Sequence, residues 1–300
     1  MCIEITALTK VYGGHRQALR GVDLRISNGM YGLLGPNGAG KTTFMRILSG
    51  IVSASSGRVV VNGHDVSTRR GRLAVKRSLG YLPQDLGLYP DLNAWQFLDY
   101  VALLKGISDD RQRRQRIQEL LQVVNLESDA RRRLRGFSGG MRRRLGIAQA
   151  LLNDPIVLIV DEPTAGLDPE ERLRFRNLLV ELGDRRTVLL STHIVDDIAQ
   201  TCRHLALLAS GTVVFEGSTS DLAHVATGFV WQLDTPGPAP GAGAQVISAT
   251  PLATGMRYRL LSAQRPDPMA VAADPNLEDG YLALISRRAP DHNARRQVLA

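Results

Sequence analysis

The chain has 300 residues, 44% of them apolar, and a formal net charge of +8. That length allows one large domain or two modest ones; no apolar stretch approaches the roughly 18–20 residues of a membrane span, and Cys2 and Cys202 are too few for a disulfide framework or a metal site. The charge raises nucleic acid as a partner, but aromatics are only 5% and are not interleaved with the basic runs Arg111–Arg116, Arg131–Arg135 and Arg142–Arg144, so these runs read as solvated faces, some of them available to acidic partner loops or anionic headgroups.

The opening Met1-Cys2-Ile3-Glu4-Ile5 has no basic region leading into a long apolar run, so the sequence carries no visible secretory signal and the expected location is the cytosol or a membrane's cytosolic face. Ile3-Glu4-Ile5 and Val22-Asp23-Leu24-Arg25-Ile26 alternate as short strands on either side of a Tyr12-Gly13-Gly14 turn. Met30-Tyr31-Gly32-Leu33-Leu34 reads as a buried strand, and Thr43-Phe44-Met45-Arg46-Ile47-Leu48 as the start of a helix. Between them stands Gly35-Pro36-Asn37-Gly38-Ala39-Gly40-Lys41-Thr42, the G-x-x-x-x-G-K-[ST] phosphate loop in the strand–loop–helix setting it requires. Its glycines let backbone N–H groups converge on phosphate oxygens, and the helix start adds partial positive charge. Lys41 is placed to reach the β- and γ-phosphates, and Thr42 to offer a hydroxyl to Mg²⁺. Only four of the 37 basic residues are lysines, so a lysine at this position resists the chain's general preference for arginine. A compact ammonium and a planar guanidinium are not interchangeable.

Further along, Arg58-Val59-Val60-Val61-Asn62-Gly63 is a strand entering a turn, and residues 92–135 are helical, with apolar stripes at Leu98, Val101 and Leu104 and at Ile117, Leu120, Leu121 and Val124. Ile156-Val157-Leu158-Ile159-Val160 and Thr187-Val188-Leu189-Leu190-Ser191 are parallel strands buried on both faces. Leu205–Leu208 and Val213–Phe215 form a hairpin about Ser210-Gly211. Strands alternating with helices give an α/β core with a mostly parallel sheet. After residue 228 the composition changes. The Pro/Gly-rich stretch 235–244 is a loop or tether, flanked by strands at Phe229–Leu233 and Met256–Leu261 and followed by a helix at Leu277–Ser286; the last ten residues are expected to fray. Residues 229–300 therefore read as a small α+β appendage.

Asp161-Glu162 ends the first parallel strand. A carboxylate there can hold Mg²⁺, directly or through water, beside the phosphates. Glu162, next to it, is placed to orient or deprotonate an attacking water. Ser138 precedes an apolar-periodic helix (Met141, Leu145, Ala148, Leu151, Leu152) and is a natural N-cap with free N–H groups behind it.

The order of these motifs resembles the ATP-binding subunit of an ABC transporter, in its export-type bacterial branch, over about residues 3–220. Phe137-Ser138-Gly139-Gly140-Met141 is similar to the family signature Leu-Ser-Gly-Gly-Gln. Asp161-Glu162-Pro163-Thr164-Ala165-Gly166-Leu167-Asp168 resembles its Walker B end and D-loop, Ser191-Thr192-His193 its switch histidine, and Tyr81-Leu82-Pro83-Gln84 its Q-loop. Tyr12 stands at the place of the adenine-stacking aromatic. The resemblance implies a P-loop ATPase core in residues 1–228: a mixed sheet with helices, an antiparallel β subdomain and a helical subdomain at about 85–150. Residues 229–300 form a C-terminal accessory domain.

It further implies Glu162, His193, Lys41 and Gln84 as catalytic residues and Thr42, Gln84 and Asp161 around Mg²⁺. The implied ATP contacts are Tyr12, Gly35, Pro36, Asn37, Gly38, Ala39, Gly40, Lys41, Thr42 and Thr43, with Ser138, Gly139, Gly140 and Asp168. In the family, the signature helix faces the γ-phosphate held by a second copy, which implies a head-to-tail homodimer. A separate transmembrane permease supplies the pore and docks near Asp85–Gly106, where Leu86, Leu88, Tyr89, Leu92 and Trp95 are expected to form an apolar notch. The stretches Gly87–Leu92 and Leu277–Leu282 resemble export subunits, which implies efflux of a drug-like or other small lipophilic substrate; no nucleic-acid partner is expected. Phe137 and Met141 depart from the usual signature, while its Ser-Gly-Gly centre is kept. The competing class is a soluble ABC-type ATPase acting on ribosomes or nucleic acid, but this chain has neither the paired cassettes nor the long coiled-coil insertion usual there.

Overall fold

The computed structural model describes residues 3–13, 16–238 and 243–286. Cys2, Gly14, part of the 235–244 stretch and the ten C-terminal residues expected to fray lie outside them. The chain divides into two compact units at Glu216/Gly217.

The first unit opens with β1 (Ile3–Tyr12) and β2 (Arg16–Ile26), both longer than the alternation alone predicts. Ile3 pairs with Ile26 and Ile5 with Leu24, and all four side chains are buried while Glu4 and Arg25 face water. β3 (Met30–Leu34) then leads through the glycine-rich loop into α1 (Lys41–Leu48), whose Phe44, Met45, Ile47 and Leu48 are buried in the main core. β4 (Ser56–Val61) and β5 (His64–Asp65) complete an antiparallel sheet in the order β2-β1-β4-β5. Asn62 and Gly63, the turn between them, both have positive φ, as a two-residue hairpin loop of this type requires.

After α2 (Arg69–Ser78) comes β6 (Leu79–Leu82), followed by the helical region α3 (Ala94–Leu104), α4 (Asp110–Val123) and α5 (Gly139–Ala150). Then follow β7 (Val157–Asp161), α6 (Pro169–Gly183), β8 (Thr187–Thr192), α7 (Val195–Thr201), β9 (His204–Ala209) and β10 (Thr212–Ser218). The six-stranded sheet runs β10-β9-β3-β8-β7-β6. β9, β3, β8, β7 and β6 pair with one another in parallel, and β10 follows β9 through Ser210-Gly211, both left-handed. The result is the mixed α/β architecture expected, with an antiparallel β part and a helical part.

Three local expectations change. The β7 strand starts at Val157; Ile156 is exposed. Residues 92–135 are not continuous helix, because α4 ends at Val123, Asn125 just beyond it has φ 51°, and Arg133 bridges back to Asn93, leaving Arg131–Arg133 outside any helix. The run 111–116 is not a uniformly solvated face either: Arg113 is buried, with Nε 2.6 Å from Asp99 and Nη2 2.8 Å from Asp110, and so it ties α4 to α3.

The second unit contains α8 (Thr219–His224), β11 (Val230–Thr235), β12 (Gln245–Leu252), β13 (Gly255–Leu261), β14 (Val271–Ala272) and α9 (Leu277–Ser286). Its antiparallel sheet has the order β12-β13-β11-β14. Asp279 of α9, fully buried, accepts from Arg259 of β13 at 2.9 and 2.6 Å.

Candidate active site

The register of the parallel strands explains why residues far apart in sequence converge. Leu34 lies opposite Thr192, Asp161 opposite Ser191, and Leu82 opposite Val160. The carboxyl ends of β3, β8, β7 and β6 therefore sit side by side and deliver Gly35, His193, Glu162 and Gln84 to one edge, the usual ligand edge of such sheets.

That edge opens into a cleft of about 840 Å³ lined by Tyr12, Asn37 through Thr43, Gln84, Glu162 and His193. Arg16, Gln17 and Arg46 also line it, and sequence reasoning missed all three. Gly40 has φ 107°, and a Cβ there would meet the Ala18 carbonyl at 2.6 Å, so only glycine fits the turn into α1. No side chain caps α1, and its first turn holds no acidic residue. Its leading N–H groups are thus left to a ligand, and an anion is the ligand they favour.

Lys41 is only 5% exposed and Glu162 6%. Lys41 Nζ donates to the carbonyls of Gly35 (2.7 Å) and Pro36 (3.2 Å) and lies 3.2 Å from Glu162 Oε1. The other oxygen, Oε2, is 2.6 Å from His193 Nδ1. Glu162 is thus gripped on one side by an ammonium and on the other by an imidazole. Its backbone has φ 49°, a strained value for a non-glycine, and is held there by a 2.9 Å bond from its N–H to the Ser191 carbonyl.

Asp161 is fully buried, and among the described residues neither of its carboxyl oxygens has a hydrogen-bond partner. Burial pushes its pKa up; the nearby Ser191 and Thr42 hydroxyls pull it back down, the Glu162 charge raises it further, and Lys41 lowers it. Two orphaned buried carboxyl oxygens beside a hydroxyl make a hard, oxygen-only donor set that suits Mg²⁺.

Ser138, Gly139, Gly140 and Asp168 do not line this cleft. Ser138 caps α5, accepting from Met141 N–H at 3.2 Å, and Asp168 caps α6, accepting from Glu171 N–H at 2.8 Å. The expected apolar notch also divides. Leu86 and Leu88 line a depression of about 370 Å³ with Pro90, Leu134 and Leu167. Tyr89 makes a T-shaped contact with Tyr100 (centroids 5.7 Å apart), and Trp95 lines a different depression with Gln118 and Leu121. Another feature missed in sequence is buried Asp197, which accepts a hydrogen bond from Thr164 Oγ1 and lies 3.5 Å from Arg172 Nε. It anchors the segment just after Glu162. Its only sequence trace is the acidic pair Asp196-Asp197, in which nothing marks Asp197 as the buried member.

Residues 19–165 match a family profile described as ABC transporter. An uncharacterized ABC transporter ATP-binding protein of Synechocystis sp. is 38% identical over 210 residues, which cover 69% of this chain and 58% of that protein, so the chain spans less than two thirds of its length. Nod factor export ATP-binding protein I of Paraburkholderia xenovorans is 36% identical over 305 residues, covering 96% of this chain and 98% of that protein. Among solved structures, a dimeric ATP-binding cassette in a post-hydrolysis state bound to ADP and Pi superimposes with a TM-score of 0.66 at 27% identity, covering 72% of this chain and 98% of that one.

Proposed function

This chain belongs to the ABC transporter family of ATP-binding proteins, and on that premise we propose that it binds and hydrolyses ATP at the Lys41–Glu162 cleft to drive export through a separate membrane permease. The observation that carries this reading is the pair of contacts on Glu162, from Lys41 Nζ at 3.2 Å and His193 Nδ1 at 2.6 Å, at the mouth of a glycine-rich helix start. In this reading Tyr12 stacks on adenine and residues 35–43 surround the phosphates. Lys41 exchanges a carbonyl partner for phosphate oxygens, so its charge moves onto the group being transferred. Glu162 accepts the proton of the attacking water, and His193 holds the Glu162 carboxylate in place and reaches toward the same water.

Asp161, Thr42 and Gln84 are the residues that would hold Mg²⁺. When bound, the ion offsets charge on the phosphate oxygens. Ser138, Gly139, Gly140 and Asp168, set apart from the cleft, are assigned to the site of a second copy in a head-to-tail dimer. The dimeric state of the solved cassette supports this assignment. Residues 1–228 serve as the nucleotide-binding domain and 229–300 as an accessory domain.

No helix among the described residues is long and apolar enough to cross a membrane. In the proposed reading another polypeptide supplies the permease and this chain works at the membrane's cytosolic face, which the likeness to an export ATP-binding protein supports. Export is favoured by the full-length likeness to a Nod factor export protein. Purification of the tagged chain from solubilised membranes tests the assignment. The expected result is co-purification with one polytopic membrane protein that stimulates ATP turnover; recovery with ribosomes or DNA instead would overturn it.

A further inference from the structure

The consecutive arginines Arg142, Arg143 and Arg144 follow Ser138-Gly139-Gly140-Met141 in the first turns of α5, yet they are used differently. Arg142 is exposed. Arg144 donates from Nη1 to the carbonyls of Val124 (3.1 Å) and Asn125 (2.8 Å), and its Nη2 lies 3.4 Å from Glu171 Oε1. Arg143 instead donates from Nη1 to the carbonyls of Pro83 (3.2 Å) and Gln84 (2.5 Å). Burial lowers its pKa, opposed by the charges of Asp85 and Asp161, as expected of a guanidinium drawn out of water toward backbone acceptors.

The same face of α5 continues the grip. Gly146 and Gln149 follow Arg143 at helical spacing. Gln149 Nε2 donates to the Tyr81 carbonyl at 2.9 Å. A Cβ at Gly146 would lie 2.4 Å from both Leu82 Cδ1 and Leu86 Cδ2, so a side chain there would push those two leucine ends away from the helix. One helix face thus holds Tyr81 through Leu86 along its length. Gln84, in the middle of that segment, lines the cleft that contains Lys41, Glu162 and His193. The other end of the same helix begins at Ser138-Gly139-Gly140, outside the cleft.

We propose that Arg143 is a positioning residue for ATP hydrolysis: by holding the Pro83 and Gln84 carbonyls it fixes the Gln84 side chain in the cleft and ties it to the start of α5. The proposal rests on the ATPase reading above. Arg143 acts only through Gln84 and is not among the residues that line the cleft. A shift of α5 is thereby converted into a shift of Gln84, so the residue in a chain's own cleft and the helix start it offers to a second copy respond together.

The test is Mg²⁺-dependent ATP turnover by the full chain in wild-type, Arg143→Met, Arg143→Lys, Gln84→Ala and Gln84→Ala/Arg143→Met forms, with a thermal melt of each. Arg143→Met should lower kcat about tenfold, the order of loss a misplaced contact brings, with KM for ATP changed less than about twofold. Arg143→Lys should recover most of the loss, because an ammonium still reaches one carbonyl. The double variant should be no slower than Gln84→Ala alone, since both changes cut one route. If Arg143→Met does not fold, Arg143→Ala, alone and in the Gln84→Ala background, carries the same cycle, because alanine removes the guanidinium and favours the helix. Unchanged kcat in Arg143→Met, or losses that multiply in the double variant, would overturn the proposal and leave the ATPase reading intact. A wild-type chain without turnover, with or without its permease, would overturn both.

Discussion

Lys41 shows how tightly a single position can be specified. Its ammonium is buried among two carbonyls and the Glu162 carboxylate, and a guanidinium brings a larger planar fork to the same space. Lys41→Arg, conservative in charge, is therefore predicted to weaken ATP binding at least about tenfold, read by titration with a fluorescent ATP analogue; unaltered affinity would show that charge alone suffices there. Cys202 stands at the opposite extreme. It is buried, and burial pushes its thiol up to about 12, so the thiolate that reacts with alkylating reagents does not form near neutrality. Peptide mass spectrometry should find Cys202 modified by iodoacetamide only after denaturation.

The phosphate loop was legible in the sequence because its chemistry lies in contiguous backbone, and contiguity is what a sequence displays. The Arg143, Arg144 and Asp197 contacts were not, because each joins residues far apart in sequence, and the carbonyls and hydroxyl that Arg143, Arg144 and Asp197 reach leave no trace in residue type.

Elements carry their own energetic signatures. Lys105, at the end of α3, has its pKa lowered to about 8 by burial. Between about pH 8 and 10.5 the unfolded chain keeps a proton that the folded one has released, so this group adds stability as pH rises through that window and costs most below pH 8. Lys105→Met should be more stable than wild type at pH 7 by urea denaturation, and the gap should close by pH 10. The comparison is made as a difference because Cys202, Tyr31 and Tyr81, all with raised pKa values, lose stability as pH rises toward their folded values.

In the second unit, Asp279→Ala would strand the Arg259 guanidinium, whose side chain is 23% exposed. A loss of roughly 3 kcal/mol follows, at the low end for broken buried pairs because water reaches Arg259 in part. A chemical denaturation curve of the full chain checks it, and a loss below about 1 kcal/mol would mark the pair as surface-like. Most elements were legible from apolar spacing. The 92–135 region was read as helical because stripes at Leu98–Leu104 and Ile117–Val124 have the right period on either side of the breaks; Gly106 marks the first break, but Asn125 at positive φ announces nothing in residues 107–135, which hold no glycine or proline. The apolar notch divided for a related reason: neighbouring side chains of an irregular segment face different ways, and only the backbone decides which.

At the scale of the whole molecule, the parallel register gathers Gly35, Gln84, Glu162 and His193 at one sheet edge, while Ser138 and Asp168 start helices away from it. In the proposed reading such a chain holds half of each of two composite sites, and its activity depends on meeting another copy. Hydrolysis then breaks the link that ATP makes between copies, so a chain that binds ATP without cleaving it should accumulate as a dimer. Glu162→Gln keeps the shape and one acceptor oxygen while removing the charge that draws the proton from water. ATP turnover of that variant, measured with Mg²⁺ and combined with size-exclusion chromatography in ATP, tests the account most directly. The predicted result is a fall of roughly 10²–10⁴ in kcat, with ATP retained in a species of twice the monomer mass. Turnover at the wild-type rate, or a monomer at saturating ATP, would contradict it.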